Sequence, residues 1–295
     1  MLLKGTAFVA AKNKGARLEL GNGFNNDLIR TDDTSTCGES GGEIAHLLLD
    51  GNKANNTAGS CINNRSDFAH INHCFVDAAE KDGIELNAKA WVNYYRGNDP
   101  NGHMLSLNSG AGDSIVGLND LSGGSMSTIY LNAGDVGLFA NQCFNATNHG
   151  IHVDTAGDRA CLVGNRTDDN STEGLRNEGA NVIVAGHFSD NNGRYGIVDT
   201  KVFKGFALIS SNNTNDNLNI GGGSTQGLYY GEFGSITYNR TNAIINGVGK
   251  ASANAESPTA GNWLEGALVD FTDSGDDSGT GWYVEDVDGN MAQLA

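Results

Sequence analysis

Six residues at near-equal intervals, Glu85, Ser106, Tyr130, His152, Arg176 and Val198, each follow an aliphatic anchor, namely Ile84, Leu105, Ile129, Ile151, Leu175 and Ile197. Neighbouring side chains in an extended strand point to opposite faces, so burial of the anchors would turn these six outward. Stacked strand on strand at about 4.8 Å, they would form one column bearing a carboxylate, a phenol, an imidazole and a guanidinium. Such a set suits a sugar chain, because an aromatic ring stacks on a pyranose and planar polar groups grip hydroxyls and carboxylates. Glu85, Tyr130, His152 and Arg176 are therefore the candidate carbohydrate-binding residues. The same residues equally suit an ordinary solvated face.

A second file closes each phrase: Asn87, Asn108, Asn132, Asp154, Asn177 and Asp199. Stacked Asn residues at strand ends are corner chemistry, since the amide satisfies local backbone groups. Asp154 and Asp199 interrupt that ladder two periods apart, which predicts a separation of about 10 Å. This is near the wide limit for a carboxylate pair that must admit a water in inverting glycoside hydrolysis. They are the candidate catalytic pair, within a larger set of nearby acids (Asp77, Asp82, Asp135, Asp158 and Asp190). No Ser-His-Asp arrangement, phosphate loop or zinc motif is present. No metal site is assigned and no cofactor is required, calcium being the ion that acidic, oxygen-rich loops would best accept.

The elements that must position these groups are short. Anchor spacings are 21, 24, 22, 24 and 22 residues, a drifting period characteristic of a coil stacking on itself. Each period carries a further apolar run, such as Trp91-Val92, Ile115-Val116, Leu138-Phe139, Leu162-Val163 and Val182-Ile-Val184. Polar Gly- and Asn-rich segments separate the runs, and these residues tolerate the left-handed backbone of tight corners. Runs so short leave no room for helices of ten or more residues. The expected fold is all-β, a parallel solenoid. Residues 1–66 form a cap and first rungs, 67–249 the regular rungs, 250–262 a linker and 263–295 a small β-hairpin module. In that module, Asp288-Gly-Asn290 between alternating apolar residues signals the turn.

The repeated phrase and the strand-ending Asp50-Gly-Asn52 resemble right-handed parallel β-helix proteins of the pectin-lyase-like family, which includes polysaccharide lyases and viral tail spikes. The resemblance covers roughly residues 5–249. In character it is nearest to viral tail-spike and capsid-decoration proteins, whose opening rung resembles Thr6–Ala10 and Ala16–Leu20. It implies a glycan-binding sheet and a homotrimer. Of the polygalacturonase motifs only Asp168-Asp169 and His149-Gly150 are present, and no Arg is singled out as the base a pectate lyase would use.

Acidic residues outnumber basic ones 35 to 18, giving a formal charge of −17. Such a surface repels phosphate backbones, so nucleic acid is not an expected partner. Strong acidity also fits a high-salt habitat, where self-repulsion is screened, and hence a halophilic microbe or its virus. No stretch approaches the roughly 18 apolar residues of a membrane span. Lys4-Gly-Thr6 breaks the apolar start, which argues against a secretory leader. The five cysteines cannot all pair. Cys74, Cys143 and Cys161 fit buried small hydrophobes, while Cys37 and Cys61 flank a loop and could join.

Three functions remain open. The first is a non-catalytic spike or capsid decoration on a virion surface or in the extracellular space. Its partners would be a host surface polysaccharide or glycoprotein glycan and other virion proteins. The second is a polysaccharide-degrading hydrolase or lyase on the same fold. The third is a purely structural capsid cement. The missing catalytic motifs weigh against the enzyme.

Overall fold

Ile84, Leu105, Ile129, Ile151, Leu175 and Ile197 are all fully buried, and each lies directly above the last in parallel register. The computed structural model describes residues 17–31, 42–201, 203–215 and 217–219 with side chains. It adds strand backbone at 8–9, 16, 220, 227–238, 243–251, 268–271, 281–285 and 291–294. Within these residues the chain is the parallel β-solenoid that the repeat predicts. The helical turns among them are Lys53–Asn55 and Ser109–Ala111, both 3-10 segments. None is long and apolar enough to cross a membrane.

Every regular turn contributes three strands, not the two apolar runs visible in the sequence. The first sheet stacks Ile62–Asn64, Ile84–Leu86, Leu105–Leu107, Ile129–Leu131, Ile151–Val153, Leu175–Asn177 and Ile197–Asp199. The second includes Ala90–Asn93, Ile115–Gly117, Gly137–Phe139, Cys161–Val163 and Val182–Ala185. The third includes Arg96–Asn98, Asp120–Ser122, Gln142–Phe144, Arg166–Asp168 and Phe188–Asp190. This last sheet leaves no apolar run in the sequence because each strand buries a single residue, Leu121 in one and the small or polar Gly97, Cys143, Thr167 and Ser189 in the others. At Gly97 a Cβ would stand 2.1 Å from Met104 Sδ and 2.6 Å from the buried Tyr95 hydroxyl, so glycine is required by space.

The core is one column filled from all three sides. Leu86, Leu107, Leu131 and Val153 join the anchors from the first sheet, and Val92, Val116, Leu138, Leu162 and Val184 come from the second. Each such side chain contributes roughly 1.5–3 kcal/mol by leaving water. Between the second and third sheets, Asn119, Asn141 and Asn165 stack as a buried amide ladder. Asn119 Nδ2 donates to Asn141 Oδ1 at 2.8 Å, and Asn141 Nδ2 donates to Asn165 Oδ1 at 2.9 Å.

Beyond the regular turns, Gly227–Tyr238 and Ala243–Ala251 continue in parallel register. Leu268–Phe271, Gly281–Glu285 and Met291–Leu294 then pair antiparallel. Residues 250 and 251, expected in a linker, belong to the strand Ala243–Ala251. The remainder of that linker, the Asp288-Gly-Asn290 turn and Cys37 lie outside the described residues. Cys61 is a buried free thiol, so it is not half of a disulfide. Cys74 and Cys143 are buried as expected, whereas Cys161 lies in the outward file of the second sheet, opposite Gly137 and Ile183.

Candidate active site

The outward file of the first sheet runs unbroken through Asn63, Glu85, Ser106, Tyr130, His152, Arg176 and Val198. It is not an open, solvated face. Glu85 and Ser106 are only 7% and 3% exposed, and Tyr130, His152 and Arg176 are half-buried. A second file, two residues before each anchor, packs along one side of it: Asp82, His103, Ser127, His149, Glu173 and Tyr195. The strip between the two files is the candidate groove. Backbone bonds keep this file in step, with the N–H groups of Gly83, Met104, Thr128, Gly150 and Gly174 donating to the carbonyls of His103, Ser127, His149, Glu173 and Tyr195.

Four rings from three consecutive turns meet in this groove. His103 stacks on Tyr130 with centroids 4.5 Å apart and planes 13° from parallel. Tyr130 meets His152 edge-on at 5.4 Å, and His152 meets His149 edge-on at 4.9 Å.

Their surroundings fix their protons. The Tyr130 hydroxyl donates to Asp154 Oδ2. The Thr155 N–H and hydroxyl donate to the other carboxylate oxygen at 2.6 and 3.2 Å. Burial and the adjoining carboxylate push the Tyr130 phenol up to about 12. Burial alone would raise Asp154, but the bonds from Tyr130 and Thr155 outweigh it and hold that carboxyl below its usual range. His103 Nδ1 accepts the Ser127 N–H at 3.1 Å, so its proton resides on Nε2. Burial pushes this imidazole down to about 4. Burial first, then His149, lowers His152, despite Glu178 Oε2 at 3.4 Å from its Nε2. At neutral pH the groove thus holds a protonated phenol, an ionised carboxylate and two neutral imidazoles.

Charges flank the rings. Arg176 donates twice to Glu178 Oε1, at 2.8 and 2.6 Å, so Glu178 bridges Arg176 and His152. His149 Nδ1 lies 2.9 Å from Thr172 Oγ1 and 2.5 Å from Glu173 Oε2. The second contact is not aligned as a hydrogen bond and leaves that buried oxygen without one. Arg194 Nη1 approaches the other Glu173 oxygen at 3.5 Å. Among the described residues, no group of three or more His, Cys, Asp or Glu side chains converges as a metal ion would need.

The fold is similar to that of two epimerase modules. The A-module of mannuronan C-5 epimerase AlgE4 from Azotobacter vinelandii aligns at TM-score 0.62 and 14% identity, covering 94% of this chain and 78% of that one. The AlgE6 A-module from the same organism aligns at TM-score 0.59 and 14% identity, covering 87% and 72%. No family model and no curated protein sequence matches the chain. Identity this low establishes shared architecture, a parallel β-helix of the kind found in polysaccharide-acting enzymes.

Of the residues expected from sequence, Tyr130, His152, Arg176 and Asp154 come together. Glu85 lies further along the same file and is already saturated, with Lys81 Nζ at 2.7 Å and the hydroxyl of Ser60 and the amides of Asn87 and Asn108 on its oxygens. Asp199 is a correction. The phrases Gly174-Leu-Arg-Asn177 and Gly196-Ile-Val-Asp199 are one residue shorter than Gly150-Ile-His-Val-Asp154. Asn177 and Asp199 therefore fall in the inward file with Val153, while Asp154 falls one position later. Asp199 is fully buried and accepts the Asn177 amide at 2.8 Å and the Lys201 N–H at 3.1 Å. Asp154 and Asp199 do not share a ladder, and Asp199 has no face toward a substrate. His103, His149, Glu173 and Glu178 were missed. Reading the position two before each anchor, as the anchor-plus-one position was read, would have found the first three.

Proposed function

We propose that the chain is a polysaccharide-acting enzyme that moves a proton at the carbon beside a uronate carboxylate, leading to epimerisation or to β-elimination. The observation that carries this reading is the contact chain His103–Tyr130–His152–His149, with Asp154 on the Tyr130 hydroxyl. Hydrolysis by two carboxylates needs a matched acidic pair, and burial of Asp199 removes the one the sequence offered. Proton abstraction needs instead a neutral base and a proton donor with separated proton affinities, in a groove with little water. His152, neutral because burial lowers it, accepts the proton. Tyr130, held protonated, is the donor on the phenol side. His103, with its proton on Nε2, can hydrogen-bond to negative charge developing on the carboxylate. Arg176, which spends two of its N–H groups on Glu178, keeps further donors for the carboxylate of an acidic sugar. The mannuronan specificity of the two epimerase modules is theirs, and makes mannuronan the first polymer to test here.

The deciding experiment incubates the protein with mannuronan or another polyuronate in deuterium oxide. Proton NMR would show exchange and inversion at the acidic carbon, and ultraviolet absorbance would show any unsaturated end. Exchange abolished by His152→Gln supports the reading. Polymer binding without exchange or product overturns it in favour of a non-catalytic glycan binder, the virion-surface role considered above.

A further inference from the structure

The corner between the second and third sheets carries a file unrelated to the groove: His46, His73, Tyr94, Leu118, Ala140 and Gly164, all with φ between 50° and 65°. Glycine occupies such left-handed backbone most readily, and bulky residues there are unusual. Three rings nevertheless stack along it, with His46–His73 centroids 4.9 Å apart and His73–Tyr94 centroids 4.8 Å apart. Side-chain size then falls sharply from Tyr94 and Leu118, each about half exposed, to Ala140 and Gly164.

That fall leaves a cavity of about 330 Å³ beside Tyr94, Leu118 and Ala140. Its other wall is the outward file of the third sheet, in which Arg96, Asp120 and Gln142 lie in register. Arg96 Nε and Asp120 Oδ2 are 3.3 Å apart, the Arg96 side chain being largely exposed and that of Asp120 about half exposed. An ion pair so exposed adds little stability and is free to exchange partners. The cavity thus combines an exposed ring, an aliphatic wall, a fork of donors, a carboxylate acceptor and an amide that does both, with no net charge. Its volume is at the lower end for ligand sites, which suits a single ring.

We propose that this cavity binds one pyranose ring of a neutral oligosaccharide, as a second sugar site separate from the groove. The phenol edge and Leu118 cover the apolar face of the ring, while Arg96, Asp120 and Gln142 bond its hydroxyls. The proposal does not depend on the catalytic reading.

The test titrates the full chain with a neutral β-linked glucose hexasaccharide, using calorimetry and amide NMR. The variants are Tyr94→Ala, Gln142→Ala and, in the groove, His152→Ala, each checked for fold by circular dichroism. The expected result is shifts confined to the 94–96, 118–120 and 140–142 segments, with affinity reduced about tenfold by Tyr94→Ala and several-fold by Gln142→Ala. His152→Ala should leave affinity unchanged. Absence of binding, binding that survives both corner variants, or loss on His152→Ala would each overturn it.

Discussion

The Tyr130 hydroxyl donates to the carboxylate of Asp154, which belongs to the next turn of the solenoid and is fixed in turn by the Thr155 N–H and hydroxyl. A phenol in such a bond is oriented and kept protonated. Its ring is also clamped, against His103 on one side and the edge of His152 on the other.

Tyr130→Phe removes the hydroxyl while preserving the ring stack. Turnover on polyuronate should fall by roughly 10²–10⁴-fold, the usual contribution of a positioned acid or base, while the fold is kept and the thermal midpoint drops only modestly through loss of the bond to Asp154. Asp154→Asn should also slow turnover. It should return the Tyr130 phenol toward its ordinary value, seen by ultraviolet titration of the variant against wild type. A phenol still near 12 in Asp154→Asn would show that Asp154 does not control it.

The acidic side of the pH profile tests His152. A base must be neutral to accept a proton, and burial together with His149 lowers this imidazole. Activity should therefore persist below the ordinary histidine value of about 6.5 and decline only as pH falls through the lowered value. Asp154, itself lowered, stays ionised across that window. In His152→Gln the residual rate should lose this limb. A limb in kcat/KM at or above 6.5 would remove His152 from the role.

Much of this was legible in the chain, for a physical reason. Burial of Ile84, Leu105 and their successors requires period-two alternation in the first sheet, so the outward file through Tyr130, His152 and Arg176 follows from the anchors. The third sheet was not legible because Gly97, Cys143, Thr167 and Ser189 fill its inward positions without an apolar run. Asp199 was misread because a one-residue shortening of a phrase reverses which side of the sheet its last residue faces. His103 and Glu173 were hidden because they precede the strands, where only the stacking of turns brings them beside rings more than twenty residues away.

Ionic strength should matter in an unusual direction. The chain carries a formal charge of −17, so a polyanionic substrate is repelled at long range although Arg176 and Arg194 lie in the groove. Raising salt from about 0.01 to 0.15 M shortens the screening length from about 30 to about 8 Å. KM for a polyuronate should therefore fall over this range while kcat changes little. A KM that rises with salt would mean that local attraction by the arginines outweighs the net charge.

Acid stability should be governed in part by His187. This residue directly precedes Phe188–Asp190, the corner position held on earlier turns by Asn119, Asn141 and Asn165, and so interrupts the amide ladder. It is 1% exposed, its Nδ1 has no partner, and burial pushes it down to about 4. With a folded value below the unfolded 6.5, the unfolded chain binds the proton first. Stability is then complete above about 6.5, declines as pH falls toward 4 and levels off below that. The loss attributable to this group is on the order of 3 kcal/mol. His187→Asn should abolish that share of the decline and offer Asn165 Nδ2, which now bonds Leu138 O at 2.9 Å, a further acceptor in the ladder. Urea midpoints measured from pH 7 to 4 should therefore fall less steeply for the variant than for the wild type. Equal slopes for the two proteins would show that His187 is solvated or protonated in the folded state.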